Sequence, residues 1–164
     1  KRLAASIRQE YFAAHFGHGH FGLTARLRSS VEYYLACTVF NTFPIPQKVG
    51  GIQKTLRYAG ELVEAGYCPL LFPEGGRSED GTIKPFLPGI GIMAIRLQVP
   101  VVPVQISGLF EVLSQYDRWP KAGRCEVRIG CPLKFRSEVD PELVARLVEK
   151  EVRELGSNDS SSRC

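Results

Sequence analysis

Cys68-Pro69-Leu70-Leu71-Phe72 runs directly into Pro73-Glu74-Gly75-Gly76-Arg77-Ser78. The first five residues make a short, wholly apolar run of the kind found in a strand buried on both faces. The prolines and glycines that follow break regular structure. Upstream, Ile52, Leu56, Ala59, Leu62 and Val63 recur at helical spacing, opened by Gly50-Gly51 and due to stop near Gly66. Downstream, beyond a glycine- and proline-rich loop over residues 73–88, residues 89–98 read as a helix and 101–107 as a second buried strand. Pro103 puts that strand near an edge or a bulge. Helices threaded between short buried strands predict an α/β fold whose mixed, mainly parallel central sheet is flanked by helices on both faces.

Further from this centre the pattern continues. Leu3, Ile7, Tyr11 and Ala14 predict an amphipathic helix over residues 2–16, and Leu23, Leu27, Val31 and Tyr34 a second over 23–38, the two broken at Gly17-His18-Gly19. Phe43-Pro44-Ile45-Pro46 must be extended, because each proline disfavours a helical conformation in the residue before it. Residues 124–129 alternate as a half-buried strand, and Asp140-Pro141 supplies an N-cap and a first-turn proline for a last helix reaching about Leu155. The expectation is one domain over 1–155 and a disordered tail over 156–164, with no internal repeat.

The chain has 164 residues, enough to bury about 70% of the surface its unfolded form exposes. With 44% hydrophobic and 23% charged residues it falls in the globular range, which excludes wholesale disorder and fibrous classes. No apolar stretch approaches the 18 or so residues that a spanning helix needs. A first residue of Lys and the lack of an apolar leader predict an excised piece of a longer protein. Five cysteines form an odd set with no C-x-x-C pair, which argues against a disulfide framework and a zinc knuckle and for a reducing compartment. Residues 1–60 hold eight Lys/Arg against two Glu, whereas 61–164 hold thirteen against fifteen acidic residues. The basic half should meet an anion, or else is a solvated face. The cations are scattered singly beyond Lys1-Arg2 and no nucleic-acid-binding motif accompanies them, so nucleic acid is not expected as a partner.

The chemistry concentrates where the apolar run gives way to loop, the usual place for ligands in open α/β sheets. Gly75 and Gly76 let backbone approach a ligand closely, Arg77 offers a planar fork of donors for phosphate or carboxylate, and Ser78 adds a hydroxyl. Glu74 can orient that arginine; the plain alternative is that Glu74 and Arg77 merely pair in a surface turn. Other motifs fall short. Gly89-Ile90-Gly91-Ile92-Met93-Ala94 matches G-x-G-x-x-A but follows a loop, so core packing explains it better than a dinucleotide site. Thr82 and Ile83 stand where a P-loop needs Lys and Ser/Thr. His15, His18 and His20 could converge on a transition metal, yet no carboxylate or cysteine nearby helps, and the expectation is no metal and no cofactor.

Taken together, FPEGGRS, Gly81, Lys84-Pro85-Phe86, Pro88-Gly89 and the run Val99-Pro100-Val101-Val102-Pro103-Val104 resemble the glycerolipid acyltransferase family, of 1-acylglycerol-3-phosphate type, over about residues 39–135. The resemblance implies a glycerol-3-phosphate-acyltransferase-like fold. It implies an enzyme of phospholipid biosynthesis that moves a fatty acyl group from acyl-CoA or acyl-carrier protein to a lysophospholipid or glycerol phosphate. It places the acceptor phosphate on Glu74, Gly75, Gly76, Arg77 and Ser78, with Phe43-Pro44-Ile45-Pro46-Gln47-Lys48 falling on the block that completes the site. Gln47 stands where the family usually has Arg, so Lys48 would have to supply the charge; Gly76 stands for the commoner Thr. The implied setting is cytoplasmic, with peripheral contact to an anionic membrane surface.

One block of the family pattern is missing. The residues five beyond His15, His18 and His20 are His20, Leu23 and Ala25, and the first aspartate in the chain is Asp80, so no His-x-x-x-x-Asp can be written. In family members that histidine is the general base for the acceptor hydroxyl and the aspartate orients it. The isolated chain is therefore expected to hold no catalytic residue and to be inactive, with the dyad in an upstream part of the parent protein. The rival is a non-catalytic lipid- or anion-binding module on the same fold, and the upstream sequence discriminates between them.

Overall fold

The computed structural model describes residues 2–8, 22–40, 42–45 and 52–157. The chain divides into two compact units, Lys1–Leu71 and Phe72–Cys164.

The first unit contains β1 (Arg2–Arg8), α1 (Leu23–Phe40), β2 (Thr42–Ile45), α2 (Ile52–Glu64) and β3 (Tyr67–Leu70). The strands form a parallel sheet in the order β2-β1-β3, with Ala5 opposite Thr42 and Arg2 opposite Tyr67. The central strand corrects the sequence reading, which has a helix from residue 2. A central parallel strand reads as a near-continuous apolar run, and the short stretch Leu3-Ala4-Ala5 fits both that and one turn of a helix. Pairing on both sides decides for the strand, and Ala4 is buried in it. Residues 9–16 of the expected helix lie outside the described residues.

The extended stretch and α2 follow their local signals, whereas β3 is less buried than its apolar run predicts, with Cys68 exposed and Tyr67, Pro69 and Leu70 half-buried. Thr42–Ile45 is extended as the prolines require. In α2, Ala59 and Thr55 are buried and Leu56, Leu62 and Val63 half-buried. The helix stops where Gly66 adopts φ +81°, a left-handed cap that an L side chain resists, and its N–H donates to the Val63 carbonyl. In α1 the stripe Leu23, Leu27, Val31, Tyr34 and Leu35 is exposed.

The second unit contains α3 (Gly89–Leu97), β4 (Val104–Ser107), α4 (Leu109–Val112), β5 (Glu126–Ile129) and α5 (Pro141–Ser157). Its core is Ala94, Ile95, Val144 and Val148, packed against Phe86, Val101, Leu133, Phe135 and Val139. The α5 helix starts behind Asp140 and Pro141 as expected but runs to Ser157, two residues past Leu155; residues 158–164 lie outside the described residues. Its buried positions Val144, Ala145, Val148 and Val152 make one stripe. Gly91 allows α3 to lie against α5, since a Cβ there would collide with the Pro141 carbonyl. The second glycine of the G-x-G-x-x-A match thus has a packing reason, whereas a Cβ at Gly89 would meet open space. Gly91→Ala is expected to destabilise the chain by about 1–3 kcal/mol or more, because both colliding groups are backbone and cannot rotate away. Denaturant melts check this; an unchanged midpoint would show that the two helices are free to part.

β4 and β5 pair antiparallel, Val104 opposite Ile129 and Ser107 opposite Glu126. The expected strand over 101–107 is interrupted: Val101 forms an isolated bridge with Leu133, and the ladder begins only after Pro103, whose carbonyl accepts from Gly130. A proline cannot donate to a ladder, so the break falls where the sequence placed an edge or bulge. Val127 and Ile129 are exposed, so β5 is less covered than its alternation predicts. The fold is α/β with both parallel and antiparallel strands, but among the described residues they form a three-stranded parallel sheet and a separate antiparallel pair, not one continuous central sheet. Strand-like segments in a sequence do not say which of them pair.

The cysteines include one that is bridged, where the sequence reading is against a disulfide framework. Cys131 is disulfide-bonded, while Cys68 and Cys125 are free and exposed. Spacing along the chain does not show which sulfurs meet in space.

Candidate functional site

The loop that follows Phe72 is shaped mainly by its own backbone. Gly75 has φ +71°, its N–H donates to the Phe72 carbonyl at 3.2 Å, and a Cβ there would stand 2.7 Å from Leu87 Cδ1. A side chain at this position would therefore meet both backbone strain and a steric clash. At the base of the loop the Leu87 N–H donates to the Pro73 carbonyl at 2.8 Å, so a fifteen-residue excursion is closed by one main-chain bond. Glu74 Oε2 accepts the Lys84 N–H at 2.9 Å and braces the loop from inside.

The tip is organised around Asp80. Its Oδ1 accepts from the Thr82 hydroxyl at 2.7 Å, the Thr82 N–H at 2.9 Å and the Ser78 hydroxyl at 3.1 Å. These bonds, the Thr82 hydroxyl foremost, hold the Asp80 carboxyl below its ordinary value. Lys84 Nζ pairs with Glu79 at 3.0 Å. Arg77 is exposed, and its Nη2 donates to the Ser114 carbonyl at 3.2 Å. That anchors one edge of the guanidinium. Among the described residues it pairs with no carboxylate, so its remaining donors can take an anion.

The residues singled out from sequence are thus brought together in part. Glu74, Gly75, Gly76, Arg77 and Ser78 share one loop, with Gly76 half-buried. Glu74 does not orient Arg77, nor do the two pair in a surface turn: the carboxylate holds backbone and the arginine reaches Ser114. Ser78 donates its hydroxyl hydrogen to Asp80, so in this state it shapes the loop. Gln47 and Lys48 lie outside the described residues, as do His15, His18 and His20. Among the described residues no group of three or more His, Cys, Asp and Glu could hold a metal.

Sequence reading misses what ties the loop to α5. Glu149 Oε2 accepts the Phe86 N–H at 3.0 Å, Arg153 Nη2 donates to the Ile83 carbonyl at 2.7 Å, and the two side chains pair with each other at 2.8 Å. On its own, a Glu and an Arg four apart on a helix reads as an ordinary surface pair. The Phe86 N–H first, and Arg153 with it, hold the Glu149 carboxyl below its ordinary value against the opposing effect of burial. A depressed carboxyl stabilises the fold above its unfolded value of about 4.3, and that contribution is lost as pH falls through the lower folded value. Glu149→Ala is expected to cost about 1.5–3 kcal/mol near neutral pH, the worth of hydrogen bonds to a charged group, and to flatten the acid limb of the stability curve. Urea melts between pH 2 and 7 measure both; an unaltered acid limb would remove Glu149 from the account.

Known proteins resemble this chain in sequence and in fold. The family model described as Acyltransferase matches residues 14–107, which include the whole Phe72–Ser78 stretch. The chain is 36% identical over 118 residues to the 1-acyl-sn-glycerol-3-phosphate acyltransferase alpha of Ovis aries, a match covering 71% of this chain and 41% of that protein. The Homo sapiens protein of the same name is 35% identical over the same length. The chain thus spans about two-fifths of the length of these relatives. The crystal structure of the 1-acyl-sn-glycerophosphate acyltransferase PlsC from Thermotoga maritima superposes with a TM-score of 0.62 at 24% identity, over 96% of this chain and 58% of that one, a likeness of fold. No helix among the described residues is long and apolar enough to cross a membrane. With a family match that spans more than half of its length and contains the loop built around Glu74 and Arg77, the chain belongs to the Acyltransferase family.

Proposed function

We propose that this chain is the acceptor-phosphate-binding and core portion of an enzyme that transfers a fatty acyl group from acyl-CoA or acyl-carrier protein to a lysophospholipid or glycerol phosphate. The observation that carries the reading is Arg77: exposed, fixed by Ser114 on one edge, without a carboxylate partner among the described residues, and set on a loop that Glu74 and Gly75 hold in one shape. An anion arriving there meets a pre-organised guanidinium fork. The relatives' names put their chemistry on 1-acyl-sn-glycerol-3-phosphate, whose phosphate fits this fork. Gly75 and Gly76 give room for the phosphate to approach backbone, the Ser78 hydroxyl would donate to it on turning away from Asp80, and Gln47 and Lys48 carry the second half of the proposed site.

The domain so proposed covers residues 1–155. It contains no His-x-x-x-x-Asp, so no general base is assigned within it and the isolated chain holds acceptor without transferring acyl groups. The acceptor is amphiphilic and must be met at a lipid surface. The exposed apolar stripe of α1 and the basic excess of residues 1–60 support peripheral contact with an anionic membrane.

The test is calorimetric binding of a short-chain lysophosphatidic acid, with the matching monoacylglycerol as a control that lacks only the phosphate. Binding of the phosphate ester alone is expected. Equal affinity for both would show that the loop does not read phosphate.

A further inference from the structure

The connection between β4 and β5 carries a second surface, outside the residues that the family model matches. Its base is closed by the Lys121 N–H donating to the Val112 carbonyl at 2.7 Å. Ser114 and Asp117 then lock the turn. Asp117 Oδ2 accepts the Ser114 hydroxyl at 2.7 Å and the Ser114 N–H at 3.1 Å, and Lys121 Nζ meets Asp117 Oδ1 at 2.7 Å. Lys121, then Ser114, lower the Asp117 carboxyl to about 2, so the lock persists at any physiological pH. On this fixed frame Tyr116 is 75% and Trp119 73% exposed.

Two large aromatic side chains held in water by an ordered turn need a reason, since each leaves apolar area unburied. The charge of the turn is lopsided as well. Between Ser114 and Arg124 stand Arg118, Lys121 and Arg124 against one carboxylate, Asp117. Asp117 is occupied by Lys121 and Ser114, which leaves the exposed Arg118 without an ion pair among the described residues. Tyr and Trp, with an apolar ring and a polar tip, favour the boundary between headgroups and acyl chains, and neighbouring cations favour anionic headgroups.

We propose that the turn carrying Tyr116, Arg118 and Trp119 docks on an anionic lipid surface, with both rings inserted at the headgroup level. The turn is joined to the candidate phosphate-binding loop, because the Ser114 carbonyl at its foot accepts from Arg77. Docking here brings that arginine to the surface from which an amphiphilic acceptor would come. The inference stands apart from the acyl-transfer reading, for a chain that transfers nothing would dock in the same way.

Trp119 is the one tryptophan in the chain, so its emission reports this turn alone. The experiment titrates the full chain with phosphatidylglycerol-containing or pure phosphatidylcholine vesicles, reading fluorescence and co-sedimentation in parallel. Anionic vesicles are expected to shift Trp119 emission to shorter wavelength, and brominated acyl chains to quench it, with both effects fading as salt rises. Arg118→Ala should lower partitioning about fivefold. Co-sedimentation without any change in Trp119 emission would overturn the proposal while leaving membrane contact elsewhere in the chain intact. No response to either vesicle would overturn it and leave the rings to a protein partner. An equal shift with both compositions would overturn the role of charge.

Discussion

The 164-residue chain is expected to consume no acyl-CoA in the presence of a lysophospholipid, and a longer chain extended upstream through a His-x-x-x-x-Asp block to do so at least 10²–10⁴ times faster, the usual contribution of a positioned general base. An acceptor hydroxyl attacks a thioester only as its proton leaves, and among the histidines of this chain none has an aspartate five residues on, the first Asp being Asp80. Asp80 itself is committed to Thr82 and Ser78, Glu79 to the Lys84 ammonium and Glu74 to the Lys84 N–H, so none of the three carboxylates of the loop stands free to act as base. In the extended chain, changing the histidine of the dyad to alanine should return the rate to background. Turnover by the isolated chain, followed as thiol release, would show that another residue is the base.

The parts of the fold that were legible in the sequence are those set by local rules. The α2 helix stops at Gly66 because a glycine at positive φ ends helices cheaply, a property visible in the letters alone. The prolines around Phe43 likewise forced an extended strand. What remained hidden depends on partners far away in the chain. Leu3-Ala4-Ala5 became a strand because Tyr67–Leu70 and Thr42–Ile45 flank it, which no periodicity within residues 2–16 could disclose. Pairing also divided the strands between two sheets. At the candidate site the loop was legible from FPEGGRS, since apolar run, proline, paired glycines and arginine each state their conformational use. Its bracing was not. Glu149 reaches Phe86 across sixty-three residues and Arg153 reaches Ile83 across seventy, and neither contact leaves a mark in local composition.

Arg77→Ala is the second change with a large expected effect. A guanidinium donating to a doubly charged phosphate makes hydrogen bonds worth about 1.5–3 kcal/mol together with the charge, so the variant should bind acceptor roughly ten- to a hundredfold more weakly. The fold should be untouched, because Arg77 is exposed and its one bond goes to the Ser114 carbonyl. Arg77→Lys should recover little, since an ammonium cannot hold Ser114 and a phosphate with the same planar fork.

Titration of a short-chain lysophosphatidic acid into the wild-type chain, Arg77→Ala and Arg77→Lys by calorimetry tests the phosphate assignment most directly. The account predicts measurable binding to the wild type, a loss of at least tenfold for Arg77→Ala, and little rescue by Arg77→Lys, all three chains melting at the same temperature. Equal affinity of wild type and Arg77→Ala would contradict it.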